Sequence, residues 1–422
     1  MKKLWLIFLT VLVVVSCSSS KYKKTKKDIS SILETPFFNN QFTGFILYNP
    51  ETKDTLYSQQ ANKYFTPASN TKILTLYSAL QLLGDRIPSF NYATTTDTLF
   101  IKGNGDPTLL HPFFKDSTLI NFLSADKHIA LYVNNFKDDA YGPGWAWEDY
   151  DSYYSPERSI LPLYGNMVSI YKSDSLHTIP SYFLNDVIDI PYKRKRDLQK
   201  NTFYFDSKRT DTLEIPFTVD STLTKTLLSS AADKPISIVN HFPSLSKTIY
   251  SVESDSVYKR MMHESDNFIA EQLLFLGAST LSDTISSGIT RKFVLENYLQ
   301  HLPQQPRWVD GSGLSRYNLI SPASILYVLN ELYKDVPRER LFTIFPAGGE
   351  SGTLKNWYPG NPEPYIYAKS GSLGNNYCLS GYLITQKGKV LLFSFMNNHY
   401  KTPTTALKEK MQVIFESIRD YN

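Results

Sequence analysis

From about Pro88 to about Pro243 the sequence stops reading as helix, and this interruption constrains the fold more than any other feature. Thr, Tyr, Asp and Pro are frequent there, and ATTTDTLFIKG, ADKHIALYVNNF and RTDTLEIPFTV read as short strands rather than 3.6-residue periodicity. Before it, GFILYNPETKDTLYSQQ (Gly44 to Gln60) holds two β-rich runs around an Asn-Pro-Glu-Thr turn, a hairpin signal. FTPASNTKILTLYSAL (Phe65 to Leu80) follows, with Ile73, Leu74, Tyr77 and Leu80 at helical spacing. After it, helical character returns over Ser254 to Ser279 and Ile320 to Val336. Strand-like YIYAKSGSLG, YCLSGYLIT and GKVLLFSFMNN come next, then an amphipathic helix from Thr405 to Tyr421. This order predicts one α/β domain split by a mainly β insert; three consecutive domains are the alternative. The expected boundaries are 29–87 and 244–422 for the split domain and 88–243 for the insert, in two subdomains.

Composition excludes more than it identifies. The 422 residues allow two or three domains, and 42% hydrophobic with 20% charged residues is ordinary for a globular chain. A formal net charge of +4 names no partner. The basic run PYKRKRDLQK (Pro191 to Lys200) reads as solvated surface, so no nucleic-acid partner is expected. The N-terminus is more specific. Lys2 and Lys3 precede an apolar run from Leu4 to Val15, too short to span a bilayer comfortably, and then Ser16 and Cys17. Val14-Val15-Ser16-Cys17 resembles a bacterial lipobox. It predicts a signal peptide over 1–16, lipidation of Cys17, a basic tether over 17–28 and a lipid-anchored protein facing the periplasm. A plain secretory signal with an incidental cysteine is the alternative. Cys378, the only other cysteine, lies in an alternating apolar segment and reads as buried packing.

Several chemistries find no support. The seven histidines are isolated, without a His-Glu-x-x-His pair, and no cysteine cluster offers a zinc site, so neither metal nor cofactor is expected. There is no G-x-S-x-G elbow, G-x-G-x-x-G or P-loop. A different pattern remains. Ser69 begins the strong helix and Lys72 follows three residues later on the same face. Ser-x-x-Lys is weak alone, recurring at Ser124, Ser169, Ser244 and Ser256, and a serine at a helix start is also an ordinary N-cap. What distinguishes Ser69 is its company: Ser265-Asp266-Asn267 and Lys369-Ser370-Gly371 follow in that order. The trio is that of β-lactamases and penicillin-binding proteins.

Over most of the mature chain the sequence resembles the class C low-molecular-mass penicillin-binding proteins, the D-alanyl-D-alanine carboxypeptidase/endopeptidase family. FTPASNTKILT matches the active-serine segment. KGNGDPTL (Lys102 to Leu109), GPGWAWEDYDSYYS (Gly142 to Ser155), DGSGLSRYNLISP (Asp310 to Pro322), AGGESGTLKN (Ala347 to Asn356) and LSGYL (Leu379 to Leu383) match further family segments. Lys-Ser-Gly stands where Lys-Thr-Gly is commoner, and Pro191 to Leu213 matches nothing in the family. The resemblance implies a β-lactamase/transpeptidase-like α/β (α+β) fold, an antiparallel sheet with helices on both sides. It also implies peptidoglycan stem peptides as substrate and β-lactams as covalent inhibitors.

Roles follow by the same resemblance. Ser69 attacks the D-Ala-D-Ala carbonyl and Lys72 takes its proton, its pKa lowered by burial and by Lys369. Ser265 relays a proton to the leaving amine, and Asn267 binds the substrate amide and positions Lys72. Lys369 with Ser370 holds the terminal carboxylate, Gly371 and Ser372 count with Ser370 among the substrate-binding residues, and the backbone N–H groups of Ser69 and Ser372 form the oxyanion hole. Asp106 and Asp310, each beside glycine, read as turn formers. Two other functions fit the same residues: a penicillin-binding sensor without turnover, and a β-lactamase or esterase on the same scaffold.

Overall fold

The computed structural model describes residues 26–124 and 128–421; the signal segment, Cys17 and most of the tether lie outside them. In chain order the elements that build the site are β1 (Phe42–Asn49), β2 (Asp54–Gln59) and α1 (Lys72–Leu82). Then come β3 (Arg86–Thr94), β4 (Thr98–Gly103), β5 (His128–Tyr132), α2 (Ser221–Ala232), β6 (Ile236–Val239) and β7 (Lys247–Glu253). The last part holds α3 (Ser254–His263), α4 (Asn267–Ser279), α5 (Pro322–Asp335), β8 (Ile366–Leu373), β9 (Asn376–Ile384), β10 (Val390–Asn398) and α6 (Thr404–Tyr421).

The hairpin at the start of the chain and the strands at its end form one antiparallel sheet in the order β8-β9-β10-β1-β2. Phe45 of β1 lies opposite Phe395 of β10, so the two halves of the split domain are joined by a ladder of backbone hydrogen bonds. Strand alternation sends apolar side chains to both faces. Phe45, Leu47, Leu379, Leu383, Phe393 and Phe395 pack on Leu407, Met411, Ile414 and Ile418 of α6. Ile46, Cys378, Tyr382, Leu392 and Met396 face the helical layer, including α1, α4 and α5. Both faces are therefore covered, which is why these strands read as nearly continuous apolar runs.

Helix α4 sits at the centre of that layer. Every residue from Phe268 to Ala278 is buried, as expected of a helix that is apolar nearly all round. The sequence reads Ser254 to Ser279 as one helical stretch, but the chain breaks it between α3 and α4. Ser265 adopts a left-handed φ of 56°, and the Asp266 carboxylate accepts the Ile269 N–H at 3.0 Å to cap α4. The Ser-Asp-Asn stretch is thus a helix–helix corner, and its side chains project from a turn.

The region after α1 builds its own sheet in the order β6-β5-β4-β3-β7. The β4–β5 and β5–β6 pairs are parallel, so each needs a crossover; Thr118–Leu123 and α2 supply helices for them. The closing strand β7 pairs antiparallel with β3, Lys247 opposite Tyr92, so the sheet takes in residues beyond Pro243. Smaller sheets join 167–172, 176–179 and 213–216, and 187–189 with 203–205. Phe275 and Ala278 of α4 reach into this second core, so α4 serves both.

Candidate active site

Residues Ala68–Thr71 form a single 3-10 turn ahead of α1. No side-chain cap bond is made at its head or at the head of α1, so Ser69 does not act as an N-cap. Instead the turn is held by its neighbours. Thr71 Oγ1 donates to the Ala68 carbonyl at 2.9 Å, and Asn70 Nδ2 donates to the Lys369 carbonyl at 2.9 Å, tying the turn to β8. Ala68 itself has a φ of 47°, a conformation costly for a residue with a Cβ. Two glycines let the backbone approach. A Cβ on Gly371 would lie 2.7 Å from the Pro67 carbonyl oxygen and 2.9 Å from the Ser69 nitrogen. A Cβ on Gly313, whose φ is 81°, would lie 1.9 Å from the Ala68 carbonyl oxygen.

Lys72 lies at the first position of α1 and is wholly buried. Its Nζ donates to Ser69 Oγ at 3.0 Å, Asn267 Oδ1 at 2.7 Å and the Ser312 carbonyl at 2.6 Å. Those three acceptors use all three ammonium donors. Burial pushes Lys72 down to about 8, although Asp310, Asp266 and Glu271 pull the other way. Lys369, also wholly buried, donates from Nζ to Ser265 Oγ at 2.9 Å and to the Ser370 carbonyl at 2.7 Å. It is held well below the ordinary lysine range, first by burial and then by the charge of Lys72. Asp310, Asp266 and Glu271 offset part of the effect of burial at Lys72, and the repulsion between the two ammonium groups acts on both lysines.

Ser69, Ser265, Asn267, Ser370 and Ser372 line one cleft of about 780 Å³. Gly371 does not line it but sits behind, where its missing side chain admits the serine turn. Ser370 Oγ donates to Thr353 Oγ1 at 2.7 Å, so the residue that replaces the commoner threonine keeps a hydroxyl contact. Asp310 forms turns, as expected: its carboxylate accepts the Gly313 and Ser315 N–H groups at 2.8 and 2.7 Å, and the Trp145 indole N–H at 2.9 Å. Asp106 likewise accepts the Thr108 N–H at 2.8 Å. Cys378 is fully buried and its thiol is pushed up to about 12 by burial.

Some contributors are not legible from residue types. The Ser312 carbonyl holds Lys72, and its own N–H donates to the buried Glu271 at 2.8 Å. Glu271 in turn meets the Arg158 guanidinium at 3.3 Å. The Tyr154 carbonyl accepts the Asn267 Nδ2 donor at 2.9 Å. Backbone acceptors leave no mark in a motif, though Ser312 and Tyr154 fall inside the family-like segments DGSGLS and GPGWAWEDYDSYYS. Among the described residues no group of His, Cys, Asp or Glu could hold a metal, and no helix is long and apolar enough to cross a membrane.

The model of the D-Ala-D-Ala carboxypeptidase 3 (S13) family matches residues 25–177 and 239–418. The chain belongs to that family. Membership makes it a serine hydrolase of the D-Ala-D-Ala carboxypeptidase class. A D-alanyl-D-alanine carboxypeptidase of an Actinomadura strain is 24% identical over 92% of this chain and 84% of its own. The carboxypeptidase DacB of Haemophilus influenzae is 31% identical over 173 residues, 39% of this chain and 36% of that protein. The crystal structure of penicillin binding protein 4 from Haemophilus influenzae superposes with a TM-score of 0.72 at 19% identity, covering 94% of this chain and 99% of that one. The fold is shared. The family match skips 178–238, the part of the insert around the unrecognised basic run.

Proposed function

We propose that the chain cleaves the D-Ala-D-Ala bond of peptidoglycan stem peptides through an acyl-enzyme on Ser69, and that β-lactams acylate the same oxygen. The observation that carries this reading is the Lys72 ammonium, shared at 3.0 Å or less between Ser69 Oγ, Asn267 Oδ1 and the Ser312 carbonyl. Once neutral, Lys72 takes the Ser69 hydroxyl proton as Oγ bonds to the penultimate D-Ala carbonyl carbon. Collapse of the tetrahedral adduct breaks the C–N bond, and the proton passes from Lys72 by way of Ser265 to the departing amine. Water then cleaves the ester and restores the Ser69 hydroxyl. Lys369, with Ser370, receives the terminal carboxylate, and the Ser69 and Ser372 N–H groups stabilise the oxyanion. The fully assembled pair of lysines favours turnover over a sensor without chemistry.

Intact-mass spectrometry after incubation with benzylpenicillin is expected to show one adduct, absent in Ser69→Ala. An adduct mapped to Ser124 or Ser256 refutes the assignment. Digestion of purified muropeptides, followed by whether pentapeptide monomers or cross-linked dimers disappear, separates carboxypeptidase from endopeptidase action. Anchoring at the periplasmic face of the envelope through lipidated Cys17 is part of the same proposal. Cys17→Ala is expected to remove the protein from the membrane fraction or leave it uncleaved, and unchanged fractionation and mobility overturn it.

A further inference from the structure

The basic run that reads as solvated surface is only partly so. Arg196 is 1% exposed, one of the largest side chains buried in the chain. It and its neighbours grip a five-residue stretch of the cleft rim, Trp147 to Asp151. Arg194 Nη1 donates to the Glu148 carbonyl at 2.9 Å and its guanidinium lies over the Trp147 and Tyr150 rings, 5.6 Å from each centroid. The Lys195 N–H donates to Asp151 Oδ2 at 2.8 Å, and Asp151 Oδ1 faces Arg194 at 3.9 Å. The Tyr150 hydroxyl donates to the Arg196 carbonyl at 2.9 Å, while Arg196 Nη2 returns a bond to the Tyr150 carbonyl at 3.3 Å. Arg196 Nη1 donates to Thr218 Oγ1 at 2.7 Å, which fixes the grip to the insert.

Three residues beyond Asp151 the rim supplies the Tyr154 carbonyl, the acceptor of Asn267 Nδ2. The other end of that amide, Oδ1, accepts from Lys72. The Tyr154 hydroxyl also donates back to Asp149 Oδ1 at 2.7 Å, so the end of the rim is bonded to the gripped stretch. We propose that Arg194 and Arg196 are positioning residues, which brace the rim so that Tyr154 aims the Asn267 amide, and with it Lys72, at Ser69. They belong to the segment 178–238 that the family match skips. The inference rests on Asn267 acting in acylation as proposed above.

The test is a double-mutant cycle on acylation by a fluorescent penicillin, separating the limiting rate from the apparent affinity. Arg194 is part-exposed, so Arg194→Ala is expected to fold. It is expected to lower the limiting rate by roughly ten- to a hundredfold, the scale of a small misplacement transmitted to a reacting group, with affinity little changed. Arg194→Lys, which can still donate to the Glu148 carbonyl and face Asp151, recovers the larger part. In an Asn267→Ala background the same substitution is expected to cost almost nothing more, because its effect runs through that amide. Asp151→Ala, which removes the acceptor of the Lys195 N–H, repeats the pattern. An Arg194→Ala enzyme with parental rates overturns the proposal, and so does an equal loss with and without Asn267. If Asn267→Ala alone acylates at the parental rate, the role proposed for Asn267 fails instead, and a rate loss in Arg194→Ala then contradicts the route through it.

Discussion

Lys72→Arg separates a base from a charge. Lys72 is pushed down to about 8 by burial, so releasing its proton to solvent at pH 7 costs about 1.4 kcal/mol. An arginine in its place stays protonated, and stripping it at pH 7 costs about 7.5 kcal/mol or more. The difference, about 6 kcal/mol, exceeds what a general base contributes, roughly two to four orders of magnitude in rate. Lys72→Arg is therefore expected to lose on the order of a thousandfold or more in acylation, nearly as much as Lys72→Ala. The ammonium contacts to Asn267 and Ser312 offer the guanidinium comparable partners, so charge is kept while basicity is lost. Lys369 need only present charge to a carboxylate, so Lys369→Arg is expected to keep part of the activity. Lys369→Ala is expected to cost on the order of 2–5 kcal/mol on substrates with a free terminal carboxylate. The assay is the second-order acylation rate of the four variants with one β-lactam, after circular dichroism and thermal melting confirm folding. If Lys72→Arg acylates as fast as Lys369→Arg, Lys72 is not the base and the proposed mechanism is wrong.

The pH dependence follows from the same lysines. With a thioester substrate whose terminal carboxylate is esterified, only Lys72 has to be neutral. The rate is then expected to rise with pH and level off above about 8, and a profile still climbing tenfold per unit through pH 9 contradicts it. With a free carboxylate the rate is expected to fall again at alkaline pH, as the coupled pair loses the proton that charges Lys369. Gly371→Ala is expected to reduce acylation by about a hundredfold, because its Cβ would press on Pro67 and Ser69. The same overpacking is expected to lower stability by about 1–3 kcal/mol in urea unfolding, and parental kinetics would show that the turn yields without consequence. Glu271→Ala takes from buried Arg158 the nearer of its two carboxylate partners, Asp138 remaining at 3.7 Å, and removes the acceptor of the Ser312 N–H. It is expected to cost about 3–5 kcal/mol, and a loss below 1 kcal/mol in the same experiment argues that the pair is idle.

What the sequence supplied alone was the order of the motif residues and of the apolar strand runs. Ser69, Lys72, Ser265, Asn267 and Lys369 stand in motif order, and the residue types name a nucleophile, amines and hydroxyls whatever the backbone does. The apolar runs of β1, β9 and β10 are long enough that both faces had to be covered. Tertiary structure decided how far burial lowers Lys72 and how much nearby carboxylates offset it. That depends on where Asp310, Asp266 and Glu271 come to lie, tens to hundreds of residues away in the chain. It also decided that Ser265 occupies a helix–helix corner, because a left-handed φ at one residue is invisible in a helical pattern that resumes immediately after it. The basic run around Arg196 shows the limit most clearly. A run of lysines and arginines is solvated by default, since burying a guanidinium needs acceptors arranged around it. Tyr150, Asp197 and Thr218 provide those acceptors only once the insert has folded against the cleft rim.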